Sequence, residues 1–222
     1  MTGQDIINFF QNLIDETVNV DFALDLLANA KDLIEADRIW RMLIKEDSSQ
    51  TFGSSDTYLT AKNLPSDFFT DHKVFLGIES EDDYKEYDPV PFEWRRKHKS
   101  SQVYAIDYAN KKIYICGDVD KTYTIYIYYV YETPAITLTT SPIWPAKFHK
   151  LIAFMMAELY QVGVNYDEIT ARQAIAHSRQ GTLLYNAMVE WDSKLWAQAM
   201  GKRAGFASEG SGRRTNVIQE LE

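Results

Sequence analysis

The sequence predicts an α+β protein: a helical bundle with an inserted β-rich subdomain and an extended C-terminal tail. Three observations lead to this reading. Amphipathic helical spacing occupies both ends of the chain, short β-branched and aromatic runs broken by turn residues fill the middle, and Gly and Ser dilute the stretch after Met200. The chain accordingly divides into N-terminal helices of the bundle over residues 1–47, a β-rich insertion over 48–144, C-terminal helices over 145–200 and a flexible tail over 201–222.

From Asp5 to Glu16 the apolar residues Ile6, Ile7, Phe10, Leu13 and Ile14 recur at helical spacing, giving a short amphipathic helix that needs a packing partner. Asn19 and Asp21 offer N-caps for a second helix reaching to about Glu46, with Leu24, Leu27, Ala30, Ile34, Trp40, Leu43 and Ile44 on its apolar face. The polar run Ser48 to Ser55 ends it.

Five strands follow in the insertion: Thr57 to Ala61, Lys73 to Ile78, Gln102 to Asp107, Lys112 to Cys116 and Thr122 to Tyr131. Asn110 suits a hairpin turn, since Asn tolerates the left-handed backbone, and Gly117 to Asp120 make the next turn between two successive strands. The last strand is apolar or aromatic on both faces, with Tyr126, Tyr128 and Val130 opposite Tyr123, Ile125, Ile127, Tyr129 and Tyr131. Such a strand is expected to be central, or covered by a neighbouring subunit. Pro65 biases Leu64 to extended backbone, and the turn at Ser66 and Asp67 aims Phe68 inward. Residues 78–99, with the acidic run from Glu79 to Asp83, Pro89, Pro91 and the basic run Trp94 to Lys99, read as a long exposed connection.

Pro145 opens the next helix, whose stripe is Phe148, Leu151, Ile152, Met155, Leu159 and Val162, and Gly163 stops it. Asn165 and Glu168 resemble a capping box for a last helix running to about Met200, roughly 50 Å at 1.5 Å per residue if Gly181 does not break it. Its stripe is Leu184, Met188, Trp191 and Leu195. The tail beyond cannot bury enough surface to order itself, so it is either disordered or folded onto a partner.

With 222 residues and 45% hydrophobic content, the chain can bury an ordinary core without staples. A single cysteine, Cys116, excludes an internal disulfide framework, and His72, His98, His149 and His177 show no metal-ligand spacing. The formal net charge of −9 opposes non-specific binding to nucleic acid. No signal peptide and no membrane-spanning run are visible, so a soluble chain without membrane contact is expected.

No residue pattern assigns a catalytic, cofactor or metal site. Asp118 and Asp120 lack the later ligands of a calcium loop and read as a solvated turn. The abundant Asp and Glu leave a glycosidase-like carboxylate pair open, because sequence spacing does not give their separation. The Tyr-rich strand reads as core or subunit packing, with a sugar- or base-stacking platform as the sharper alternative. The basic run, Trp94 to Lys99, is either a solvated loop or a contact to DNA or an acidic surface. His149 reads as a helix-end hydrogen-bonding residue.

From Tyr58 to about Met200 the order of parts resembles the head-to-tail adaptor (connector) proteins of tailed bacteriophages. The matching features are the Tyr58-Leu59 strand leading to Leu64-Pro65-x-Asp67-Phe68, then Pro91-Phe92-Glu93 and the strands Tyr104-Ala105-Ile106 and Lys112-Ile113-Tyr114-Ile115. After these come Tyr128-Tyr129, Pro134 and Trp144-Pro145-x-x-x-His149. The resemblance implies a structural virion protein at the head-tail junction, assembled in the host cytoplasm. It implies a homo-oligomeric ring between portal protein and tail proteins, through which DNA passes without specific binding. It implies no enzyme and no cofactor. The acidic run from Glu79 to Asp83 and the tail match no family pattern. In the tail, Val217, Ile218 and Leu221 form an apolar end suited to a portal or subunit contact. The alternative is a carbohydrate-binding or carbohydrate-active virion component.

Overall fold

A computed structural model describes residues 1–81, 83–162 and 179–206. They fall into two compact units, Met1–Met42 together with the described residues from Ile136 onward, and Leu43–Ala135.

The first unit is helical. Helix α1, Gly3–Ile14, starts in a capping box in which the Thr2 side chain accepts from the Asp5 amide while the Asp5 carboxylate accepts from the Thr2 amide. The segment after Ile136 lies against this helix start: the Gly3 and Gln4 amides donate to Thr140 and Leu138 carbonyls at 2.8 and 3.0 Å. A Cβ on residue 3 would sit 2.2 Å from the Thr137 carbonyl oxygen, so this position requires glycine. Helix α2, Val20–Ala36, is capped by Asn19 and buries Ala23, Leu26, Leu27, Ala30 and Ile34. It ends well short of Glu46.

Helix α3, His149–Val162, follows the 3-10 turn Ala146–Phe148. Its residues 151–157 are buried on nearly every side, because it packs against α1, α2 and the last helix; an all-round apolar helix belongs at the centre of its unit. That last helix, α4, spans Arg179–Phe206 and carries Gly181 without a break. Its buried row is Gly181, Tyr185, Met188 and Asp192, with Leu184, Trp191 and Leu195 half-buried beside it. Gly163 and the Asn165/Glu168 capping box lie outside the described residues.

The second unit is one seven-stranded sheet: β1 Ile44–Phe52, β2 Ala61–Asn63, β3 Phe68–Ile78, β4 Asp83–Pro89, β5 Val103–Asp107, β6 Lys112–Cys116 and β7 Tyr123–Tyr131. The order is β1-β7-β3-β4-β5-β6-β2, antiparallel except for the short β4/β5 pairing at Asp88↔Val103 and Pro89↔Tyr104. Every strand, or the residue flanking it, feeds one apolar cluster that includes Phe52, Leu64, Phe68, Leu76, Tyr87, Ile106, Ile115 and Ile127. Residues from both edges share one core, so the sheet wraps around it.

The α+β expectation of a helical bundle with an inserted β-rich subdomain is therefore corrected. The protein is a mixed α/β protein with a seven-stranded, nearly closed barrel-like sheet and four helices among the described residues. Two strands make the difference. Residues 44–52, read as helix end and loop, become β1 by pairing with β7 from Ile44↔Val130 to Phe52↔Tyr123 across a bulge between Asp47 and Gln50. Residues 83–89, read as exposed connection, become β4 by pairing with β3 from Val74↔Tyr87 to Ile78↔Asp83. Both are polar segments recruited by neighbours, where tertiary context overrides local preference.

Other elements shift as well. Tyr58 and Leu59 sit in a turn, and the short strand begins at Ala61. The two halves of residues 111–131 are not paired with each other, since β6 lies between β5 and β2 while β7 lies between β1 and β3. At the Asn110 turn, Asp107 caps the Asn110 amide at 3.1 Å and Lys111 takes the positive φ of 48°. Helix α4 continues past Met200 to Phe206. Residues 207–222, with Val217, Ile218 and Leu221, lie outside the described residues.

Candidate functional site

Strand β7 divides its aromatic residues between two faces. Tyr123, Ile125, Ile127 and Tyr129 point into the core, whereas Thr124, Tyr126 and Tyr128 are half-buried on the outer face. Register brings further rings beside them: Phe75 pairs with Tyr126 across the β3/β7 ladder, and Gly77 pairs with Tyr84 across β3/β4. The result is an outer aromatic strip. Tyr84 meets Tyr126 edge-on at 5.5 Å, Phe75 meets Tyr128 at 5.9 Å, and Tyr84 is 46% exposed. Gly77 makes room for it, because a Cβ there would stand 2.3 Å from the Tyr84 ring. The Lys73–Glu86 ion pair, 2.7 Å long, borders the strip.

The loop before β3 is pinned from two sides. The Asp67 carboxylate accepts from Lys45 Nζ at 2.6 Å and from Tyr129 Oη at 2.9 Å, tying the loop to β1 and β7. The Lys45 hydrogen bond, with help from Tyr129, holds the Asp67 carboxyl below the ordinary carboxylate range against the opposing effect of burial. Phe68 points inward as the turn chemistry predicts, stacked on Tyr129 at 5.7 Å and tilted against Tyr108 at 6.1 Å.

Beside Phe68 lies a cavity of about 280 Å³ lined by Asp71, Pro89, Val90, Pro91, Phe92, Glu93, Tyr104, Ile106 and Tyr108. The Tyr104 hydroxyl donates to Asp71 Oδ2, and the Tyr108 hydroxyl donates to Oδ1 at 2.5 Å. Burial and the Asp71 hydrogen bond push the Tyr108 phenol up to about 12, and the same causes raise Tyr104 further. Both phenols therefore keep their protons and act as donors at neutral pH.

Sequence reading identified no residue of this cavity as a site. Its rim came from the stretch read as connection, and Asp71 lies in a strand start with no pattern of its own. The usable signal was Pro89-Val90-Pro91-Phe92 between strands, a stiff apolar run in a turn-rich region.

The basic run, Trp94 to Lys99, begins inside the 3-10 turn Phe92–Arg96. Arg95 is structural: Nη1 donates to the Phe92 carbonyl at 2.8 Å, and the guanidinium lies 3.8 Å over Phe92 and 4.8 Å over Tyr114. Trp94 stacks on His98, and Lys99 sits over Tyr58. At the calcium-like pair, Asp120 accepts from Tyr123 Oη at 3.2 Å and Asp118 is exposed. Among the described residues, no three His, Cys, Asp or Glu side chains converge as metal ligands. His149 is a helix-end hydrogen-bonding residue: Nε2 donates to the Trp144 carbonyl at 2.7 Å, and Nδ1 faces the Met1 amino group at 3.1 Å. No described helix is long and apolar enough to cross a membrane.

Comparison with protein-family models matches residues 1–204 to the family described as SU10 adaptor protein. No curated protein matches the chain.

Proposed function

We propose that this chain, which belongs to the SU10 adaptor protein family of phage head-to-tail adaptors, assembles as a homo-oligomeric ring between portal and tail and forms part of the DNA conduit. The observation that carries the reading is the family match over residues 1–204. Membership makes the protein a structural component at the head-tail junction that interacts with portal and tail proteins. Ring closure, the conduit and assembly in the host cytoplasm are the finer steps.

Support for ring formation comes from the outer aromatic strip. Phe75, Tyr84, Tyr126 and Tyr128 stand together on a solvent-facing sheet surface, and aromatic residues are enriched in the cores of protein interfaces. A neighbouring subunit covering the strip would complete the two-sided burial that the composition of β7 predicts. The net charge of −9 supports an inner wall that is net negative, so that DNA slides past without being held. The tail beyond helix α4, residues 207–222, would tie subunits or portal together through Val217, Ile218 and Leu221, with its ordering offset on assembly.

Tyr84→Ser combined with Tyr126→Ser tests the ring reading. Purified variant and parent are each mixed with the cognate portal and sedimented. Loss of the multi-subunit species with an unchanged circular dichroism spectrum supports it, and undiminished assembly by the variant contradicts it.

A further inference from the structure

We propose that the Asp71 cavity is a recognition site for a single arginine side chain carried by a partner protein. The lining supplies two carboxylates, Asp71 and Glu93, and no Lys, Arg or His. Among the described residues, no cationic nitrogen lies within ion-pair distance of Asp71; its carboxylate is held instead by two neutral phenol donors. Each Asp71 oxygen keeps a further lone pair after accepting one hydrogen bond. The phenols orient the carboxylate and leave its charge unneutralised.

The remaining walls suit a flat cation. Phe92, Tyr104 and Tyr108 offer ring faces or edges, and Pro89, Val90, Pro91 and Ile106 add apolar wall. A guanidinium combines planarity, stacking on aromatic faces and bidentate pairing with a carboxylate, which an ammonium does not. This unit already stacks one guanidinium on aromatic rings: Arg95 lies over Phe92 and Tyr114 and donates to the Phe92 carbonyl. The volume of about 280 Å³ has room for one such side chain. The adaptor reading enters only in making the partner a protein, and the test requires neither portal nor ring.

The experiment is a two-dimensional NMR titration of isotope-labelled full-length chain with Nα-acetyl-arginine amide and, separately, its neutral isostere Nα-acetyl-citrulline amide. The arginine probe is expected to give saturable shifts at the amides of residues 71, 92, 93, 104 and 108, and the citrulline probe none there. Asp71→Asn should weaken the arginine response at least tenfold, and Glu93→Gln, on an exposed position, several-fold with an unchanged melting curve. Raising the salt concentration should weaken binding of the arginine probe. Equal responses to the two probes, undiminished binding by both variants, or no saturable shift at these residues would each overturn the assignment. If Asp71→Asn fails to fold, the Glu93→Gln result and the probe comparison decide.

Discussion

Replacing Phe68 by Ala is the sharpest probe of how the β-unit is held together. Phe68 is 3% exposed, stacks on Tyr129 at 5.7 Å and lies against Tyr108 at 6.1 Å, so removing the ring opens a cavity between β3, β7 and the turn after β5. Buried Phe→Ala changes cost about 3–5 kcal/mol. With a urea dependence of about 2 kcal/mol/M, the unfolding midpoint should fall by roughly 2 M. The neighbouring Phe69 supplies the control, because alternation turns it outward and leaves it 66% exposed. Phe69→Ala should change stability by no more than about 0.5 kcal/mol. Urea titration followed by near-ultraviolet circular dichroism reads both variants. Equal losses for the two, or a Phe68→Ala midpoint within error of the parent, would refute the inward placement of Phe68.

Three further outcomes are expected. Gly77→Val should displace the Tyr84 ring from Tyr126 and cost about 1–3 kcal/mol, seen as a lowered melting temperature. Asp192 is fully buried in α4, and burial raises its carboxyl pKa even though Oδ1 accepts from the Arg41 amide at 2.7 Å. Its contribution to stability is therefore fully present below the unfolded value of about 3.9 and lost as pH rises through the folded value. Asp192→Asn should gain on the parent between pH 4 and pH 7 in urea titrations; a difference that does not change with pH would contradict this. Asp67 has the opposite sign. Its pKa is lowered, so its contribution is present above about pH 4 and lost as pH falls through the folded value. Lys45→Gln should move the Asp67 titration upward when followed by carbon NMR.

What the sequence discloses depends on where the information sits. Helix starts carry it locally: the Asn19 cap was legible in a few residues, and so was the Pro145 opening, whereas α3, expected to carry one apolar stripe, is buried on nearly every side. The inward Phe68 was legible too, because Pro65, Ser66 and Asp67 fix the turn before it. Strands β1 and β4 were not. Their polar residues become strand only because β7 and β3 offer unpaired edges, and no window of nine residues contains its partner. The same holds for the candidate site, which joins Asp71, the loop around Pro91 and Tyr108 only after the sheet has curled. Asp192 was concealed for a related reason: a charge within an apolar row looks like a break in the row until Arg38 and the Arg41 amide are seen beside it.

Mass measurement of the purified chain, alone and with the cognate portal, tests the ring reading most directly. A single closed multi-subunit species formed with portal is the predicted result. A chain that remains a monomer in the presence of portal at concentrations well above those of virion assembly would contradict it.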